Sequence, residues 1–131
     1  MTTGADLALA YRRGHDMAGY TTLSVQTTGA AEASRSGVGD LDRRAASGML
    51  SPAQRERLAA AVSGADLLHH PGSSRPIGDD EVPILVTVTL GSDRRDLRVW
   101  AGDAAADPPF AAFDATVREL VDELLHGLDR A

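Results

Sequence analysis

Four histidines and one acidic run are the side chains of this 131-residue sequence best suited to hold a metal ion or to move a proton. The histidines are His15, His69, His70 and His126. A zinc site needs ligands that converge, for instance at positions i and i+4 of a helix, whereas adjacent side chains point in different directions. We therefore expect His69 and His70 not to chelate together, and all four histidines to lie on the surface or at helix ends.

The other chemical motifs also favour a protein without catalysis. The acidic run Asp79-Asp80-Glu81 lacks the alternating oxygen ligands and distal glutamate of a calcium loop, so it predicts a solvated turn. No serine stands in a Gly-x-Ser-x-Gly motif, and no phosphate-binding glycine motif occurs. The chain has no cysteine, which excludes disulfides and thiolate chemistry. The sequence predicts a protein that is not an enzyme and needs no metal or cofactor.

Composition predicts one soluble domain over residues 1–131. Apolar residues make up 43 % of the chain but aromatic residues only 4 %, so we expect a core of Leu, Val and Ala. No apolar run approaches the roughly 20 residues of a membrane span, and we expect a cytoplasmic protein. The net charge of −6 is spread along the chain, and nearby acids dilute the paired arginines. That arrangement argues against nucleic acid as a partner.

The first half of the chain predicts two or three strands. Alternating apolar residues indicate strands over Ala5–Arg13 and Tyr20–Thr27, and the glycine-containing segment His15–Gly19 suits a hairpin loop between them. A weaker run, Ala30–Ser36, predicts a third strand on an edge of the sheet. Gly37–Gly48 is rich in glycine, charge and alanine and predicts a surface excursion.

Two helices and a second hairpin complete the pattern. Ser51–Gln54 is a capping box with proline at the first helical position, and Gly64 is placed to end that helix. Strands are predicted over Val82–Leu90 and Arg95–Trp100, and a helix over 107–128. The order β-β-(β)-α-β-β-α predicts an α+β two-layer sandwich, in which an antiparallel sheet of four to five strands has two helices packed on one face.

The last helix supplies the clearest amphipathic pattern. Its apolar stripe consists of Phe110, Phe113, Val117, Leu120, Val121, Leu124, Leu125 and Leu128. The opposite side carries Asp114, Arg118, Glu119, Asp122 and Glu123. A helix with one apolar stripe packs that stripe on another element, and here the predicted sheet is that element.

The order of these signals resembles that of the emfourin family, small bacterial inhibitors of thermolysin-like metallopeptidases, with related domains in actinobacterial lipoproteins. The family's first strand runs into an Arg-x-Gly-Gly-Phe-Ala-Gly turn, whose place is taken here by Arg12–Gly19. Its Gly-x-Leu, its Ser/Pro-capped helix and its Ala-Asp-Leu stretch correspond to Gly48–Pro52 and Ala65–Leu67. Its Asp-x-Phe-Thr-Tyr strand corresponds to Asp80–Ile84, where neither aromatic is kept, and the turn lacks the phenylalanine. The resemblance extends over residues 6–128.

The resemblance implies a binding protein that inhibits or regulates a zinc metallopeptidase by inserting a loop into the active-site cleft. The candidate partner-binding residues are Arg13, Gly14, His15, Asp16, Met17 and Gly19. From their place in the loop, we expect His15 or Asp16 to approach the metal and Met17 to fill an apolar subsite.

Two alternatives stay open at this point, as does the oligomeric state. One is a general protein-interaction or assembly module, for instance a homodimer through a strand edge, with no protease target. The other is a small-molecule carrier or enzyme with a pocket between the sheet and the helices.

Overall fold

The computed structural model describes residues 7–15, 19–38, 43–74 and 81–130, with side chains described as far as residue 126. Its strands are β1 (Leu7–His15), β2 (Gly19–Val25), β3 (Ala30–Ser36), β4 (Arg44–Met49), β5 (Pro83–Leu90) and β6 (Asp93–Trp100). Its helices are α1 (Pro52–Gly64), α2 (Ala101–Ala105) and α3 (Pro108–Arg130), with a 3₁₀ turn at Leu67–His69. None of the helices in this part of the chain is long and apolar enough to cross a membrane.

The strands form a single antiparallel sheet in the order β4-β3-β2-β1-β5-β6. The α+β class is confirmed, and α3 packs against β2, β3 and β4 while α1 packs against α3. The predicted counts differ from the structure, which has six strands and three helices in the described residues. The additional elements are β4 and α2.

Strand β4 occupies the last five residues of the segment that was expected to be a surface excursion, and that prediction is wrong over residues 44–48. Its sequence, Arg-Ala-Ala-Ser-Gly-Met, has no alternation of large apolar residues. The strand stands at the end of the sheet, so only one of its two edges pairs with the rest of the molecule, and most of its side chains are exposed. The weak third strand, Ala30–Ser36, is confirmed as β3 with the predicted bounds. It lies inside the sheet and not on an edge, since β4 pairs with it.

The sheet has one face covered by helices and one face that we call the open face. On β1, the alternating residues Leu7, Leu9 and Tyr11 are buried on the side of the helices. From α3 the core receives Phe110, Phe113, Val117, Leu120 and Val121, all fully buried. The predicted apolar stripe of the last helix is therefore confirmed for the part whose side chains are described.

The predicted capping box at the start of α1 is also confirmed. The Ser51 hydroxyl accepts a hydrogen bond from the Gln54 N–H at 3.1 Å, and the Gln54 side-chain oxygen accepts one from the Ser51 N–H at 2.8 Å. The helix ends at Gly64, and it buries Leu58 and Val62. This fixed start of α1 places the helix directly after the outer strand β4.

Candidate functional site

The end of the β1–β2 hairpin is the site that the sequence singles out. Strand pairing continues to its last described positions, with Gly14 opposite Tyr20 and His15 opposite Gly19. Of the six candidate residues, Arg13, Gly14, His15 and Gly19 are described, whereas Asp16 and Met17 lie outside the described residues. His15 is half-buried and interacts with a neighbour.

Two glycines frame this hairpin end, and both are required by close backbone approach. Gly14 has φ of +139°, and a Cβ there would lie 1.9 Å from the carbonyl oxygen of Gly19. Gly19 has φ of +81°, and a Cβ there would lie 2.3 Å from the carbonyl oxygen of Ser36. Since both distances are far below van der Waals contact, glycine is the residue that lets β1, β2 and the end of β3 meet here. The candidate residues Gly14 and Gly19 therefore shape the turn through their backbones.

Arg13 anchors the same hairpin to helix α3. Its guanidinium donates to the Asp114 carboxylate at 2.9 Å, and Arg118 approaches the same carboxylate at 3.3 Å. The Tyr11 hydroxyl donates to the other Asp114 oxygen. Asp114 is only 4 % exposed, so this carboxylate is a buried acceptor that collects two cations and a phenol. The network ties the strand before the hairpin loop to the helix behind it.

The electrostatics of this network keep Tyr11 a neutral hydrogen-bond donor. Burial first, and then the neighbouring Asp114 carboxylate, raise the pKa of the Tyr11 hydroxyl far above its usual value. A phenolate beside a buried carboxylate would bring two like charges together in a poorly solvated place. The hydroxyl proton therefore stays on Tyr11, and the Tyr11 side chain positions Asp114 by donating to it.

Asp114 is the residue of this site that the sequence pattern did not reveal. Helical periodicity placed it on the polar side of the last helix, and the structure corrects this, because its carboxylate is buried against β1. The sequence feature that indicates its burial is its position one residue after Phe113 and three before Val117, both in the apolar stripe. A carboxylate at the border of a buried stripe needs a cation, and Arg13 supplies one across the sheet–helix interface.

The adjacent histidines contact different partners. His69 is exposed and lies 2.8 Å from the Asp66 carboxylate, whose hydrogen bond raises the pKa of the His69 imidazole. His70 is largely buried, with its Nε2 2.9 Å from Asp107, and its Nδ1 accepts the Gly72 N–H. Within the described residues, no group of three or more His, Asp or Glu side chains is arranged to hold a metal ion.

The open face of the sheet carries a second chemical feature, which we call the stacked-arginine surface. It consists of Arg12, Tyr20, Leu85 and Arg98, and the ring beneath Arg98 is that of Trp100, which is only 4 % exposed. The Arg12 guanidinium carbon lies 4.3 Å from the centre of the Tyr20 ring, and that of Arg98 lies 4.9 Å from the Trp100 ring. Leu85 pairs with Arg12 on one side and with Arg98 on the other, and it is 42 % exposed. An apolar side chain is thus presented between two cations that aromatic rings hold in place.

Neither the scan against protein-family models nor the search of curated proteins finds a match to this chain.

Proposed function

We propose that this chain is a cytoplasmic, non-enzymatic binding protein that inhibits or regulates a zinc metallopeptidase of the thermolysin type. In this proposal the hairpin end between β1 and β2 enters the active-site cleft of the peptidase. The observation that carries the proposal is the anchoring of that hairpin by the Arg13–Asp114 pair on one side and by the close contact of Gly14 with Gly19 on the other. The resemblance of the sequence to the emfourin family supports the same reading.

Anchoring matters because an inhibitor must lose little conformational freedom when it binds. A loop that is already held in its bound shape avoids the cost of ordering its side chains and backbone, and that saving appears as affinity. β1 lies between β2 and β5, away from both edges of the sheet. Its link to α3 through Asp114 adds a second support behind the hairpin.

The loop residues offer the chemistry that a zinc cleft accepts. A catalytic zinc ion keeps one coordination position for water or substrate, and an imidazole or a carboxylate is a suitable ligand for that position. His15 and Asp16 carry these groups, and Met17 carries a flexible apolar side chain that fits an unprimed or primed subsite. We assign these three residues the contacts with the peptidase, and we assign Arg13, Gly14 and Gly19 the support of the turn.

The test is a titration of the purified protein against a panel of thermolysin-like peptidases, including those encoded in its own genome. We expect stoichiometric inhibition that loosens about tenfold or more in each of the variants His15→Ala, Asp16→Ala and Met17→Ala. The matched control is His69→Ala, which removes an exposed histidine beside an aspartate elsewhere on the molecule and should inhibit like the wild type. If no peptidase is inhibited, the proposal is wrong.

A second candidate function, protein interaction without a protease target, is favoured by the stacked-arginine surface. Arginine and tyrosine are among the residues over-represented at the energetic centres of protein interfaces. Here Arg12 and Arg98 flank an exposed Leu85 on a rigid sheet, which suits a partner segment with an apolar residue between two acidic ones. Binding of such peptides to the wild type, and its loss in Leu85→Asp while the hairpin variants still bind, would favour this second function.

A further inference from the structure

Strand β4 leaves one edge of the sheet exposed. It stands at the end of the strand order, and five of its six residues are exposed along a run of small side chains. In the described part of the chain, no backbone hydrogen bond from another segment reaches its outer side. A surface cavity of about 860 Å³ follows the strand from Arg43 at one end to Gln54 and Glu123 at the other. Such an edge is a template for another strand.

We propose that this edge pairs with the β4 strand of a second copy of the chain, antiparallel and around a two-fold axis, so that two sheets become one. The proposal stands apart from the metallopeptidase proposal, because the hairpin end and β4 use different parts of the sheet. The occupant is a second copy because the edge complements itself in shape and in charge: Arg44 stands near one end of β4, and Gly48, near the other end, lines a cavity that Glu123 also lines.

Symmetry restricts the register of this pairing. A two-fold axis perpendicular to a sheet keeps the helices of both copies on the same face, so residues that pair across it must come from the same face. Every axis centred on a residue of β4 meets this condition, and centring it on Ala46 in addition places Arg44 of one copy opposite Gly48 of the other. It also places Ala45 opposite Ser47, twice. Gly48 has no side chain, which leaves room for the arginine.

Charge also favours this register. A Cβ added at Gly48 would lie 3.9 Å from Leu124, so Gly48 sits beside α3, and Leu124 and Glu123 line the same cavity. Arg44 of the second copy would therefore approach the Glu123 carboxylate, once at each end of the interface. Within its own copy Glu123 already pairs with Arg57, but Arg57 also pairs with Glu119, so two carboxylates share one arginine and keep one negative charge for Arg44. The two-fold axis therefore brings Arg44, at the start of β4, to the acidic end of the cavity of the other copy, and does so in both directions.

The test compares two double variants by analytical ultracentrifugation, both of which carry Ser47→Lys. In Ala45→Lys, Ser47→Lys, lysines face each other at two points of the proposed interface, and we expect the dimer to weaken about tenfold or more. In Ala45→Glu, Ser47→Lys, opposite charges face each other at the same points, and we expect a dimer within about threefold of the wild type. Both positions are exposed in one copy, so melting curves should show that both variants fold.

Each outcome decides the proposal. The wild type is expected to reach twice the mass of 13.7 kDa with increasing concentration. A wild type that stays monomeric up to its solubility limit overturns the proposal and leaves the edge to an extended segment of another protein. A dimer that survives the paired lysines forms elsewhere on the molecule, and equal weakening of both variants excludes the register centred on Ala46. Either result overturns the proposal.

Discussion

The two outer strands of the sheet solve the problem of an exposed edge in different ways. Strand β6 carries Arg94, Asp96 and Arg98 on the open face, and all three are exposed. Its outer side is also met by another segment, because the Ser73 N–H donates to the carbonyl oxygen of Arg98 at 2.8 Å. Strand β4 carries alanine, serine and glycine through its middle and has no charged residue after Arg44.

This difference indicates which edge is available for pairing. Charged side chains and a covering segment are two of the means by which natural sheets prevent strand addition, and β6 uses both. Small uncharged side chains do the opposite, because they let another strand approach without desolvating a charge. We therefore expect association through β4 and protection at β6, with the centre of the sheet contributing most to stability.

The largest effect on the free energy of unfolding is expected from Asp114→Asn, at the centre of the molecule. Changes at the two outer strands should have smaller effects. The change removes the charge that Arg13 and Arg118 share, in a place where the carboxylate is 4 % exposed. Breaking such a buried pair should lower the free energy of unfolding by about 3 kcal/mol. Denaturant unfolding of the wild type and of Asp114→Asn measures the difference.

The control for that change is Asp122→Asn on the same helix. Asp122 pairs with Arg35, but both side chains are about half exposed, so the loss should stay under about 1 kcal/mol. An equal loss in the two variants would mean that the Asp114 network is no more than a surface ion pair.

The next effect compares one serine at each edge. The Ser73 hydroxyl accepts the Trp100 N–H at 3.0 Å and donates to Asp103, so Ser73→Ala removes two part-buried hydrogen bonds and should cost about 1–3 kcal/mol. Ser47→Ala on β4 removes an exposed hydroxyl and should change stability by less than about 0.5 kcal/mol. Thermal unfolding of the two variants measures the difference. Equal effects would show that the Ser73 hydroxyl does not help to hold this segment against β6.

Most of the fold could be predicted from the sequence because most of its elements bury large apolar residues. The alternation Leu7, Leu9, Tyr11 and the stripe that begins at Phe110 each specify an element and its inner face. Strand β4 could not be found in this way, because backbone hydrogen bonds to β3 form it and its side chains add little burial. An outer strand of small residues has no periodic signal to detect.

The candidate site was predictable only in its position along the chain. The glycine spacing located the hairpin end, but the reason for Gly19, its approach to the Ser36 carbonyl oxygen, comes from a third strand that the local sequence does not specify. The partner of Arg13 is likewise 101 residues away in sequence. Contacts of this kind depend on how the helix is placed over the sheet, which a single sequence does not encode locally.

A third test makes the β6 edge chemically similar to β4. In a background that carries Ala45→Lys and Ser47→Lys, so that β4 is blocked, Arg94, Asp96 and Arg98 are replaced by serine. We expect this variant to associate at concentrations where its parent stays monomeric, because β6 loses its charges and Trp100 loses the arginine above it. Light scattering and sedimentation velocity measure the association.

The matched control removes the same charges from a helix. Replacing Arg55, Glu56 and Arg57 of α1 by serine also removes two arginines and one acid, so the net charge of the two variants is equal. This control should stay monomeric. Association of both variants would attribute the effect to net charge and not to the edge.

The smallest expected effect is a difference between β6 and β4 in how they make stability depend on pH. A hydrogen bond from the Thr87 hydroxyl, and then the nearby Arg94, hold the pKa of the Asp96 carboxyl below its usual value. Because the folded pKa is depressed, the contribution of Asp96 is complete above the ordinary aspartate pKa of about 3.9 and is lost as the pH falls through the lower folded value. In Thr87→Val the loss of stability below that pH should be shallower than in the wild type. The dependence of stability on pH should not change in Ser47→Ala, since β4 contains no acidic residue. If it is also unchanged in Thr87→Val, the Asp96 carboxylate of β6 does not contribute to stability.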